Sequence, residues 1–110
     1  MSDYFPDKWL VVKINSKSPH YRVFACWYGG YLGSDSWKLN SGITKVSFED
    51  NMFSFEGSSG SVYHCQKERY GSNSYGASVL NRMIETSKEK ENVVIDILPE
   101  DTDWMKLNYE

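Results

Sequence analysis

Residues 41–66 read SGITKVSFEDNMFSFEGSSGSVYHCQ, and the reading of this stretch decides the fold. Phe53 and Phe55 alternate with Met52, Ser54 and Glu56, the two-residue period of a strand that buries one face. Asp50-Asn51 and Gly57-Ser58-Ser59-Gly60 supply turn residues on either side. Three short strands, over residues 43–49, 52–56 and 61–66, thus follow one another as an antiparallel meander. In the third, Tyr63 and Cys65 share one face while Val62 and His64 share the other.

Upstream, residues 8–15 form a strand with Leu10, Val12 and Ile14 on one face. Trp9 and Val11 stand on the other, so this strand is expected to be covered on both sides. Residues 20–28 are nearly all apolar or aromatic and pair with it as an N-terminal hairpin through Asn15-Ser16-Lys17-Ser18-Pro19. Residues 1–7 read as a lead-in, because Pro6 bars a regular helix there. A glycine-bearing loop over residues 29–35 leads to a brief strand at 36–39.

Downstream the period changes. Ala77, Leu80, Met83 and Ile84 fall at helical spacing, which predicts an amphipathic helix over residues 75–88 behind the cap-competent Asn73 and Ser74. Val93 to Leu98 reads as a strand stopped by Pro99. Residues 102–107, with Trp104, Met105 and Leu107, read as one helical turn capped by Asp101 or Thr102, a short strand being the alternative.

Strands followed by a helix argue a single α+β domain over residues 1–110. The expected form is a curved antiparallel sheet of about five to seven short strands with the helix closing one face. A barrel-like roll with the helix plugging its end fits the same pattern. The expected core is Leu10, Val12, Ile14, Phe24, Val46, Phe48, Phe53, Phe55, Leu80, Ile84, Ile95 and Ile97.

With 110 residues, 40% hydrophobic and 15% aromatic, the chain is long enough to hold a core without staples. Its formal charge of −3 and scattered Lys and Arg disfavour a nucleic-acid interface built on phosphate neutralisation. No apolar run approaches a membrane span, so no membrane partner is expected. No leader pattern is read at the N-terminus, so Cys26 and Cys65 are expected to be free thiols in a reducing cytoplasm.

The candidate chemistry is thin. His20, Cys26, His64 and Cys65 are the only imidazole and thiol groups, and neighbours His64 and Cys65 point to opposite faces of one strand. A tetrahedral zinc site needs four such ligands converging, so no metal or other cofactor is expected. Both thiols lie in strand interiors among aromatics, where burial keeps a cysteine protonated and inert. Gly57 to Ser61 is followed by strand residues, not by a helix, and so reads as a hairpin turn, not an anion nest. No catalytic residues are assigned.

The aromatic excess points elsewhere. Trp27, Tyr28, Tyr31, Trp37, Tyr70 and Tyr75 lie in or beside loops, and such rings are enriched at interface centres. Trp27, Tyr28, Tyr31, Leu32 and Trp37 are the expected binding residues, grouped about the Gly29–Trp37 loop. The favoured function is a non-catalytic interaction module that binds a protein partner or self-associates as a homo-oligomer. A small metal- or cysteine-dependent enzyme is the alternative, and single-stranded nucleic-acid binding through stacking stands third.

Three segments also carry a likeness: Tyr28 to Ser36 (YGGYLGSDS), Trp37 to Val46 (WKLNSGITKV), and Gly57 to Tyr63 (GSSGSVY) with Tyr70-Gly71. With them the chain resembles small uncharacterised proteins encoded by tailed phages of marine bacteria, over about residues 8–75. The resemblance implies an accessory protein acting in an infected bacterial cytoplasm. It implies no enzyme activity and no catalytic residue.

Overall fold

The structure is a computed structural model that describes residues 2–29, 35–89 and 93–109. Its clearest local feature is the tight hairpin of β5 (Ile43–Glu49) and β6 (Met52–Gly57). Asp50 and Asn51 turn it with φ of 53° and 62°. Two successive left-handed residues match the strand twist, and Asp and Asn are among the few side chains that tolerate them. The pairing sets Phe48 against Phe53 and Val46 against Phe55. The Gly57–Gly60 turn then leads into β7 (Val62–Gln66), which sets Phe55 beside Tyr63. The meander is present as read.

Two antiparallel-dominated sheets of four strands each, not one curved sheet of five to seven, make up this α+β fold. The first has the order β1-β7-β6-β5, where β1 (Asp3–Tyr4) runs parallel to β7. The expected lead-in is thus partly a strand. The second has the order β4-β3-β2-β8, from β2 (Lys8–Asn15), β3 (His20–Trp27), β4 (Ser36–Leu39) and β8 (Val94–Ile97). Neither sheet closes on itself, which corrects the barrel-like roll. The reason lies in β2 and β3, whose two faces are both apolar and need a separate layer on each side.

On one face of that second sheet, Trp9, Val11, Val23 and Ala25 pack against Ile43, Phe55, Tyr63 and Cys65 of the first. On its other face, Leu10, Val12, Phe24 and Cys26 pack against Leu80 of α1 (Ser74–Lys88). The molecule is therefore layered as helix, sheet, sheet. Asn73 caps α1, its Oδ1 accepting from the Gly76 N–H at 2.6 Å. Gly76 sits so close to β3 that a Cβ there would lie 2.3 Å from Cys26 Sγ.

Phe55 is fully buried and Phe53 half-buried, as the alternation requires. Phe48 and Ile97 are corrections to the expected core, at 43% and 44% exposed. Phe48 stands on the edge strand at the hairpin end, where its ring meets Phe53 at 4.5 Å and little else covers it. Ile97 stands on the opposite sheet's edge strand, β8. The tail is held by turns instead of the expected helical turn, with Asp103 Oδ1 accepting from the Met105 N–H. Trp104, at 3% exposed, plugs the inter-sheet core beside Trp9 and Tyr70.

Candidate functional site

Helix α1 contacts the second sheet mainly through Leu80 and the close approach at Gly76, and this leaves one flank of the helix open. Tyr75, Val79 and Met83 recur there at four-residue spacing, one above the other. Together with Trp37 of β4 and Val93 and Ile95 at the β8 end they line a groove of about 550 Å³. That size falls within the range of pockets that bind ligands or side chains. Arg82, Thr86 and Ser87 are the polar residues of the lining. Ser87 Oγ is already engaged, donating to the Ile84 carbonyl at 2.7 Å. Arg82 is exposed and has no ion-pair partner among the described residues.

Trp37 is the fixed element of this groove. Its ring stacks on buried Phe24 with centroids 5.5 Å apart and planes 18° apart. A ring so backed by a rigid core residue presents its other surface at little entropy cost. Tyr75 opposite is 45% exposed and supplies an aromatic face with a polar tip.

Among the expected binding residues that the structure describes, Trp27 and Trp37 do not share a surface. Trp27 and Trp37 stand on opposite faces of their sheet: Trp27 turns toward the inter-sheet core, edge-on to Tyr4, and its indole N–H donates to the Phe5 carbonyl at 3.1 Å. Tyr28 is exposed, with its backbone N–H donating to Asp7 Oδ2 at 2.8 Å. Tyr31 and Leu32 lie outside the described residues. Of the other loop aromatics, Tyr70 is a core residue touching both apolar clusters, and Tyr75 joins Trp37 at the groove. Arg82 and Met83 were legible only as helix positions, since nothing local marks which flank of a helix stays open.

The imidazoles and thiols are dispersed. Cys26 faces the helix, and Cys65 faces the inter-sheet core. Both are free and buried, and burial raises both thiols above their ordinary range. His20 Nδ1 lies 2.8 Å from the Ser18 carbonyl, and Arg22 Nε donates to its Nε2 at 2.9 Å. Among the described residues, no three His, Cys, Asp or Glu side chains stand together as a metal site.

His64 is different, and sequence reading missed its company. On the outer face of the first sheet its Nδ1 lies 2.9 Å from Ser54 Oγ, and its Nε2 lies 2.9 Å from Asp3 Oδ1. Phe5 stacks flat on the imidazole at 4.6 Å and 14°. The three residues come from β6, β7 and β1, with Asp3 far away in sequence, so no spacing motif signals them.

No family model matches the chain, and no curated protein or solved structure matches it. Among the described residues, no helix is long and apolar enough to cross a membrane.

Proposed function

We propose that this chain is a protein-interaction module whose contact surface is the groove along α1, with Trp37 at its centre. The observation that carries this reading is the stacked, half-buried Trp37 facing Tyr75 and Met83 across an open apolar groove. Aromatic side chains held rigidly in a pocket are the residues that dominate interface energetics. The fitting occupant is an amphipathic acidic segment of a partner protein, its apolar side chains in the groove and a carboxylate on Arg82.

The test is capture of partners by the intact chain, by Trp37→Ala and by Tyr31→Ala, followed by hydrogen exchange on each captured complex. Trp37→Ala is expected to lose at least tenfold in affinity, in line with truncating a central aromatic contact. Bound partner is expected to slow exchange across residues 75–87. Partners kept by Trp37→Ala and lost by Tyr31→Ala would move the contact to the Gly29–Trp37 loop. A concentration-dependent dimer abolished by Trp37→Ala would make the occupant a second copy of this chain.

A further inference from the structure

We propose that Ser54, His64 and Asp3 form a second, reactive site, on the layer opposite the α1 groove, in which Ser54 is a nucleophile toward small carboxylic esters. An ionised carboxylate only accepts, so the 2.9 Å contact with Asp3 Oδ1 places a proton on His64 Nε2. In the neutral ring the lone pair is then on Nδ1, and the 2.9 Å contact there is one in which Ser54 donates its O–H. The chain of donors therefore runs from serine to imidazole to carboxylate, the direction in which a base takes a proton from a nucleophile.

The surroundings hold this arrangement in place. Ser54 and His64 are paired across the β6–β7 ladder, so both side chains rise from regular strand positions on one face. Asp3 is fixed by the parallel pairing of β1 with β7, where Asp3 meets Val62. Stacked Phe5 sets the plane of the ring. Ser54 and His64 are half-buried, so the hydroxyl is reachable from solvent.

The reaction that follows is acyl transfer. Ser54 Oγ adds to the ester carbonyl carbon while its proton passes to His64 Nδ1. The tetrahedral adduct expels the alcohol oxygen, which takes that proton and leaves as the free alcohol. Water, deprotonated by the same Nδ1, then adds to the acyl-Ser54 ester and releases the carboxylic acid, restoring the hydroxyl. Asp3 touches no reacting atom and is a positioning residue. Because β6 lies between β5 and β7, the sheet ladder takes up its backbone N–H groups, and they are not free to stabilise an oxyanion. The site is therefore suited to esters with weakly basic leaving groups, such as aryl acetates, and not to amides. General-base activation alone is worth about a hundredfold or more.

The test is hydrolysis of 4-nitrophenyl acetate by the full chain, with mass mapping of the acetyl group. Release by the wild type is expected to exceed that of Ser54→Ala and of His64→Ala by about a hundredfold or more, with acetyl found on Ser54. Asp3→Asn is expected to fall several-fold and Asp3→Glu to recover most of the loss, at unchanged thermal stability. Ser54→Cys, which leaves the imidazole in place, is expected to be acetylated at position 54. Equal rates for wild type and Ser54→Ala, or acetyl groups confined to lysines and tyrosines in both the wild type and Ser54→Cys, would overturn the proposal.

Discussion

Tyr70 shows how one residue can tie the layers together. It touches both apolar clusters, packs edge-on against Trp9 at 4.7 Å, and stacks on Trp104 with planes 29° apart. Its hydroxyl accepts from the Val11 N–H at 3.3 Å and donates to the Leu98 carbonyl, extending the β2–β8 ladder where the strand itself ends. Burial pushes the Tyr70 hydroxyl up to about 12, and burial does the same to Tyr63, also to about 12. The folded chain thus keeps two protons that the unfolded chain releases near pH 10. That contribution is complete below about pH 10 and is lost as pH rises toward about 12. Denaturant unfolding at about pH 9 and about pH 11 checks it: stability is expected to fall, with the Cys26 and Cys65 thiols and the Tyr109 hydroxyl, all raised by burial, adding to the fall. Tyr70→Phe should lose about 1 kcal/mol at neutral pH and flatten part of the alkaline fall. Equal stability at the two pH values would show that these hydroxyls are solvated.

Helix α1 exemplifies what periodicity does and does not carry. Leu80, Met83 and Ile84 announce the helix, and Asn73 announces its start. The closeness of its first turn to β3 is invisible until the two are packed. Alanine is ordinarily better than glycine inside a helix by about 1 kcal/mol. At position 76 the added Cβ would meet Cys26 Sγ at 2.3 Å, Asn73 Oδ1 at 2.9 Å and Phe24 Cε2 at 3.4 Å. Overpacking a rigid contact costs about 1–3 kcal/mol, so Gly76→Ala is expected to destabilise by about 1 kcal/mol net. Cys26→Ala combined with Gly76→Ala should recover part of that loss. A stabilising Gly76→Ala would mean that the helix rides higher on the sheet. The strands divide in the same way. Residues 43–66 are legible because Asp50-Asn51 and Gly57–Gly60 punctuate a local meander. Among the described residues the short β1 pairs only with β7, a contact remote in sequence, and Pro6 hides it further. Alternation puts Phe48 on the inner face correctly in kind, but it cannot say that the facing layer stops short of it.

At the scale of the molecule, the doubly apolar β2 and β3 are the organising element. Leu10, Val12 and Phe24 belong to one cluster, and Trp9, Val11, Val23 and Ala25 to the other. Expecting β2 to be covered on both sides was sound, yet only one covering layer, the helix, was legible as such. The second is the meander itself, and choosing one curved sheet over two stacked ones needs non-local register that alternation does not carry. Both candidate sites follow from the layering. Trp37 and the α1 groove lie on the helix side, and Ser54, His64 and Asp3 lie on the outer face of the first sheet. This is why Trp37 was legible as a candidate from its ring and its loop-side position, whereas the serine–histidine–aspartate chain was not. The central claim is therefore that the β4-β3-β2-β8 sheet is the buried middle layer. Native-state hydrogen exchange tests it most directly, because amides at the centre of the core open only with global unfolding. The account predicts that Leu10, Val12 and Phe24, whose amides face the β2–β3 ladder, exchange slowest, at the full unfolding free energy, with β4, β8 and the β5 edge opening earlier. Exchange of β2 and β3 as fast as those edges, with the slowest amides confined to β6 and β7, would contradict it.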